Sequence, residues 1–111
     1  MQIGDSGEAM FVDYPFTIED LRKPHPKRNV KPFQVVGIIE IGKTDYENFL
    51  CDMTQWREWL QPYKGKTKIT GNGVYRSVFV RRKDAGDGVL VVCGADKDGD
   101  PFPLWCAYLP E

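Results

Sequence analysis

The stretch KTDYENFLCDMTQWREWLQPY, residues 43–63, carries the pattern that decides the fold. Thr44 suits the N-cap of a helix, and Glu47 follows it at the spacing of a capping box. Pro62 ends the pattern, because proline cannot continue a helix. Between these limits the apolar side chains recur at helical spacing. We therefore predict one amphipathic helix over residues 44–61, with a buried stripe made of Tyr46, Phe49, Leu50, Met53, Trp56 and Leu60.

Strands are predicted on both sides of this helix. FQVVGIIEIG (33–42) and VLVVCGA (89–95) are apolar on both faces, VYRSVFVRRK (74–83) alternates, and prolines lie at both ends of PFPLWCAYLP (101–110). EAMFVDY (8–14) is a candidate N-terminal strand. The predicted class is α+β: one amphipathic helix packed on a mostly antiparallel four- to five-stranded sheet, in the order β-α-β-β-β after that N-terminal strand. The expected sheet core is Phe33, Val35, Ile39, Ile41, Val78, Val80, Val89, Val91 and Leu104.

Length and composition indicate one globular domain over residues 1–111. The chain has 41% hydrophobic and 28% charged residues and a net charge of −1, so no overall field attracts it to nucleic acid or membrane. No apolar run reaches membrane-spanning length, and MQIGDSGEAM is not a secretory signal. We expect a cytoplasmic protein without a membrane partner. Residues 1–7 are expected to be frayed, and KPHPKRNVKP (23–32) to be an extended surface segment rich in proline and basic residues.

The stretch CGADKDGDPFP (93–103) raises two alternatives, a metal loop and a hairpin turn. A calcium loop of EF-hand type that begins at Asp96 would need Gly at position six and Glu at position twelve. Pro101 and Ala107 occupy those positions. Asp98-Gly99 is a strong turn dipeptide, and apolar segments flank it. We therefore predict a hairpin and no metal site.

The sequence has few residues that could take part in catalysis, redox chemistry or metal binding. The single histidine, His25, lies between prolines and has no recognisable partner. The three cysteines, Cys51, Cys93 and Cys106, fit neither a disulfide framework nor a zinc motif. The hairpin brings Cys93 and Cys106 near each other in one register, which leaves two alternatives: buried thiols and a redox pair. We predict no enzyme, no catalytic residue and no cofactor.

Two kinds of binding surface remain. Trp59 lies at the margin of the buried stripe and Trp105 lies on the last strand, so both are candidates for a partner or self-association surface. The leading hypothesis is a small non-enzymatic binding or accessory protein that acts through such a surface. The alternative is a nucleic-acid-binding protein that uses the basic loops 22–31, 64–68 and 81–83. Its candidate phosphate contacts are Lys27, Arg28, Lys64, Lys66, Arg81 and Arg82.

The stretch VVGIIEIGKTDYENFLCDM (35–53) resembles the central signature of a family of small uncharacterised bacterial proteins, a domain of unknown function. The family occurs in anaerobic Gram-positive bacteria, often among mobile-element genes. The resemblance covers about residues 33–110, and the chain departs from it at Lys43, Thr44, Cys51 and RRKDAGDG. It implies one α+β domain in a bacterial cytoplasm and an accessory role, and it transfers no activity. The matching segments are 36–41, 45–52, 73–75, 87–91 and 106–110.

Overall fold

The computed structural model describes residues 1–13, 29–51, 56–66 and 73–110. Strand β1 is followed by the longest strand, β2; the helices α1 and α2 and a short 3-10 turn lie between β2 and β3, and the chain ends with β4 and β5. The bounds are Ser6–Asp13 for β1, Asn29–Ile41 for β2, Lys43–Cys51 for α1, Trp56–Leu60 for α2, Gln61–Tyr63 for the turn, Tyr75–Arg82 for β3, Gly88–Ala95 for β4 and Pro101–Leu109 for β5.

The five strands form a closed barrel in the order β1-β2-β3-β4-β5. Strands β2 and β3 are parallel, and the other four neighbouring pairs are antiparallel. The helices explain the parallel pair, because two parallel neighbours need a crossover that returns the chain to the starting end of the sheet. The barrel closes through a short ladder in which Val12 and Asp13 of β1 face Cys106 and Trp105 of β5.

The predicted α+β class, with one amphipathic helix packed on a mostly antiparallel sheet, agrees with this architecture in outline, but the arrangement of the strands differs. The sheet is mixed because β3 follows a crossover and does not form a hairpin with β2, and it is closed by the pairing of β1 with β5. Within the described residues the helical region consists of Lys43–Cys51 and Trp56–Leu60. The N-cap lies two residues earlier than predicted: Tyr46 N–H donates to the Gly42 carbonyl, so Gly42 and not Thr44 takes the cap position. Residues 52–55, between the helices, lie outside the described residues.

The N-terminus also differs from the expectation of fraying over residues 1–7. Gly4 N–H donates to the Val35 carbonyl at 2.7 Å, and Val35 N–H donates to the Asp5 carbonyl at 2.8 Å. These bonds extend the contact with β2 before β1 itself begins at Ser6. The predicted extended segment 23–32 overlaps the start of β2, and its residues 23–28 lie outside the described part of the chain.

Two apolar clusters lie on the two faces of the sheet. The inner cluster fills the barrel, because all five strands contribute to it: Ala9, Phe11, Phe33, Val35, Phe79, Leu90, Val92 and Ala107. The outer cluster joins the helices to the opposite sheet face and contains Ile41, Tyr46, Leu60, Val78, Val80, Val89, Val91, Cys93 and Cys106. Strand β4 is buried on both faces for this reason, as its continuous apolar run predicted.

The predicted core is confirmed where side chains are described, with two exceptions. Tyr46 and Leu60 of the helical stripe are buried, whereas Met53 and the side chains of Phe49, Leu50 and Trp56 lie outside the described part. On the sheet, Ile39 and Leu104 are only half-buried. The register of β4 and β5 shifts at Val92 and Cys93, and this shift takes Leu104 out of the ladder.

Candidate functional site

The outer face of the β1–β2 ribbon carries an exposed apolar pair. Met10 and Val30 stand directly opposite each other in the ladder and are 49% and 51% exposed. Glu8 and Pro32 form the next exposed pair along the same face. We call these four residues the ribbon face.

Among the described residues, the helices of the crossover lie against other strands than the ribbon face. Helix α1 contacts β3, and α2 contacts β5. Val12 and Val36, at the margins of the ribbon, are half-buried against the outer cluster. Met10 and Val30 belong to neither cluster, although their alternating neighbours Ala9 and Phe11 point into the barrel. Period-two alternation therefore predicts polar side chains at these two positions, and the chain has apolar ones.

Lys31 covers one end of the barrel. Its Nζ lies 3.4 Å from the centroid of the Trp105 ring and 5.1 Å from that of the Tyr75 ring. The two rings meet edge to face at 5.1 Å. Trp105 packs against the inner cluster and Trp59 against the outer one. The structure therefore does not bring the two predicted interface tryptophans together.

A cavity of about 460 Å³ lies at the opposite end of the barrel. Phe79 reaches it from the inner cluster, and Leu109 lies at the end of β5. The Asp5 carboxylate accepts a hydrogen bond from Gln2 N–H at 2.7 Å. The cavity thus has apolar walls and one carboxylate that is already engaged. Its lining residues are Met1, Asp5, Phe79, Gly86, Leu109 and Pro110.

The acidic stretch CGADKDGDPFP (93–103) forms the β4–β5 hairpin, as predicted. Asp96 Oδ1 accepts the backbone N–H groups of Asp98 and Asp100, both at 2.9 Å, and Gly99 has a φ of 83°. Carboxylate oxygens of Asp96, Asp98 and Asp100 lie within 4.8 Å of one another, close enough to hold a cation. They are the group of this kind found within the described ranges. Lys64 Nζ lies 3.1 Å from Asp100 Oδ1 and offsets part of this charge.

The candidate phosphate contacts that lie within the described residues do not gather into one strip. Arg81 forms an ion pair with Glu40, and Arg82 Nε lies 3.3 Å from Asp87 Oδ1. Both arginines lie at the end of β3, whereas Lys64, beside the β4–β5 hairpin, lies at the opposite end of the barrel. Lys66 is exposed, and Lys27 and Arg28 lie outside the described residues.

A polar network that the sequence did not indicate ties the β3–β4 turn to β5. The buried Asp87 accepts a hydrogen bond from the Tyr108 hydroxyl at 2.7 Å and pairs with Arg82. The Arg82 guanidinium carbon lies 5.8 Å from the centroid of the Tyr46 ring in α1. Arg82 and Asp87 flank one turn, but Tyr108 and Tyr46 lie far from them in the sequence, so no local pattern could have identified the whole network. Its contacts are those of a structural brace.

Cys93 and Cys106 are free, fully buried thiols on neighbouring strands. Burial raises the pKa of Cys93 to about 12. Burial, and then repulsion from Cys93, raises the pKa of Cys106 well above its ordinary value. Reactivity requires the thiolate, so this environment favours the buried-thiol alternative over the redox pair. The side chain of Cys51 lies outside the described part.

No family model, no curated protein and no solved structure matches this chain. The resemblance drawn from residues 35–53, with its bacterial and mobile-element context, therefore stays a prediction. Neither α1 nor α2 is long and apolar enough to cross a membrane, and the same holds for every other helical segment of the described residues.

Proposed function

We propose that this protein is a non-enzymatic binding protein and that it acts through a protein–protein surface centred on the ribbon face. The observation that carries the proposal is the Met10–Val30 pair, two large apolar side chains that are half exposed and directly opposite each other. A polar rim around an apolar centre is the usual anatomy of a protein interface, and Glu8 is one such rim residue.

The energetics favour a protein partner for this face. Removing a large apolar side chain from water stabilises a complex by about 1.5–3 kcal/mol when the burial is complete. Met10 and Val30 are only half exposed, so each would contribute part of that amount. Their side chains lie on the same face of two paired strands, which present them without further ordering of the backbone.

The reactive groups named from the sequence support binding over catalysis. The thiols of Cys93 and Cys106 are buried and held protonated. The Arg82 guanidinium braces the β3–β4 turn. These groups contribute to the fold, whereas Met10 and Val30 contribute to neither core cluster.

The test is affinity capture from extracts of the native host at low and high salt. The double variant Met10→Glu/Val30→Glu places two charges on the ribbon face and leaves both clusters intact. Ile3→Glu is the matched control, because Ile3 is 66% exposed and lies outside the ribbon face. We expect the wild type and the control to retain the same protein at high salt, and the double variant to lose it. Retention of that protein by the double variant contradicts the proposal.

The alternative function is single-strand nucleic-acid binding at the barrel end that carries Lys31. Tyr75 and Trp105 supply rings there, and Lys64 and Lys66 lie beside the hairpin at the same end. The three aspartates of the hairpin oppose a phosphate chain at this end. Phosphate contacts release counterions, so capture that collapses between low and moderate salt favours this alternative.

A further inference from the structure

The mouth of the barrel beside the β3–β4 turn holds an apolar cavity of about 460 Å³. Small-molecule sites occupy about 300–1,000 Å³ and are found preferentially in places such as the mouths of β-barrels. Phe79 is 3% exposed and belongs to the inner cluster, so it forms the floor of the cavity, and Leu109 and Pro110 form part of its wall. The cavity shares no residue with the ribbon face, so a ligand there would be independent of a partner at that face.

Backbone hydrogen bonds hold the walls of this cavity in place. Gly4 N–H donates to the Val35 carbonyl at 2.7 Å, and Val35 N–H donates to the Asp5 carbonyl at 2.8 Å. These bonds fix the N-terminal segment against β2. In the β3–β4 turn, Gly86 N–H donates to the Arg82 carbonyl at 3.0 Å. A ligand that enters between walls fixed in this way has little backbone to order when it binds.

Asp5 supplies the charge that lines the cavity. It is the one charged residue among the described residues of the lining. Its Oδ2 accepts the Gln2 N–H at 2.7 Å, but a carboxylate can accept several hydrogen bonds, so it retains capacity for a further donor. Within the described part of the chain, Asp5 forms no ion pair. The lining therefore offers apolar surface and one negative charge that no side-chain cation offsets.

The basic residue nearest this mouth, Arg81, is engaged by other groups. Its Nη2 forms an ion pair with Glu40, and its Nη1 lies 3.5 Å from the Met1 carbonyl oxygen. The guanidinium charge is thus offset by a carboxylate, whereas the charge of Asp5 is not. An anionic ligand in the cavity would meet a like charge, and a cationic ligand would meet an opposite one.

We propose that this mouth binds an organic cation with an aromatic body, which places its ring in the cavity and its ammonium group beside the Asp5 carboxylate. The Phe79 ring can meet an aromatic ligand edge to face, and the Met1 thioether makes favourable contacts with aromatic rings. The ammonium N–H donates to the carboxylate in a charge-assisted hydrogen bond. The cavity thus accounts for the body of the ligand and Asp5 for its charge.

Three indole compounds of nearly equal size test this proposal on the purified full chain. Tryptamine is a cation at neutral pH, tryptophol is neutral and indoleacetate is an anion. Titrations followed by amide nitrogen–proton correlation spectra give both the affinity and the position of the site. We expect the Gly86 and Leu109 signals to shift while those of Met10 and Val30 do not. Tryptamine should bind about threefold to tenfold more tightly than tryptophol, and indoleacetate most weakly.

A pair of variants isolates the charge of Asp5. Asp5→Asn removes this charge and keeps an oxygen that can accept the Gln2 N–H. We expect it to bind tryptamine only as tightly as tryptophol and to bind tryptophol as the wild type does. Asp98→Asn is the matched control, because it removes one negative charge from the β4–β5 hairpin at the opposite end of the barrel. The preference for tryptamine should survive in this control.

Each other outcome overturns the proposal. Unchanged Gly86 and Leu109 signals with all three compounds exclude an aromatic ligand from the cavity. Equal binding of tryptamine and tryptophol, or tightest binding of indoleacetate, excludes Asp5 as the partner of a cation. Equal losses in Asp5→Asn and Asp98→Asn assign the preference to the overall field of the protein and not to this site. The comparison of the three compounds needs only the wild type, so it decides the question even if Asp5→Asn does not fold.

Discussion

At the scale of the residue, Gly37 of β2 packs closely against the ring of Tyr63. A Cβ on Gly37 would lie 1.9 Å from Cε1 of the Tyr63 ring. The Tyr63 hydroxyl donates to the Ile38 carbonyl at 3.3 Å, which ties the ring to β2. Burial raises the pKa of Tyr63. The register shift of β2 between Val35 and Gly37 lies under this ring, so the glycine is required for space.

We therefore expect Gly37→Ala to lower the free energy of unfolding by about 1–3 kcal/mol, as measured by urea denaturation. Gly7→Ala is the control on the neighbouring strand, because a Cβ there would meet only the Phe33 ring at 3.4 Å. If the contact with the ring is the cause, Gly37→Ala costs much less in a Tyr63→Ala background. An unchanged cost in that background contradicts the explanation.

The sequence predicted some residues and not others for a simple reason. The burial of Tyr46 and Leu60 followed from helical spacing, which is a local pattern. The contact between Gly37 and Tyr63 joins two elements distant in the chain, and nothing in either local sequence specifies it. The same holds for the hydrogen bond from Tyr108 to Asp87. The exposure of Met10 could not be predicted either, because alternation alone does not show which face of a strand a helix covers.

At the scale of the element, the β4–β5 hairpin was predictable and the pairing of β2 with β3 was not. The turn dipeptide Asp98-Gly99 lies between two apolar runs, so the hairpin is specified within a few residues. The parallel pair depends on where the crossover returns the chain, which is a property of the packed helices. Strand β1 followed from its composition, but its role in closing the barrel did not.

The hairpin also leads to a prediction about how the free energy of unfolding depends on pH, because it buries the Cys93 thiol in its protonated state. The pKa of this thiol rises from its ordinary value of 9.0 to about 12 in the folded protein. The unfolded chain therefore releases the proton first. The stabilising contribution is complete below about pH 9 and is lost as the pH rises towards about 12.

We expect the free energy of unfolding of the wild type to fall more steeply than that of Cys93→Ala above pH 9, by about 1.4 kcal/mol per pH unit. Denaturation in urea at several pH values measures both slopes. The tyrosines and lysines titrate in both proteins, so their contributions cancel in the difference. Equal slopes would show that the thiol ionises as readily in the folded protein as in the unfolded chain.

At the scale of the whole molecule, the two sides of the barrel differ in how firmly their strands are held. We call the well-packed side the strong side and the side closed by the short ladder the weak side. Strands β3 and β4 are buried between the inner and outer clusters. Strands β1 and β5 meet over only two pairs. The exposed apolar pair lies on the weak side, in β1 and β2. The surface that we propose for binding is therefore the part of the barrel held by the shortest ladder.

Amide hydrogen exchange along β1, measured residue by residue, tests this difference between the two sides most directly. We expect slow exchange at Gly7 and Ala9, whose backbone groups bond to β2, and fast exchange at Glu8 and Met10, which lie outside the β1–β5 ladder. Uniform protection from Gly7 to Met10 would show that β1 is bonded along both of its edges, and would contradict the weak side.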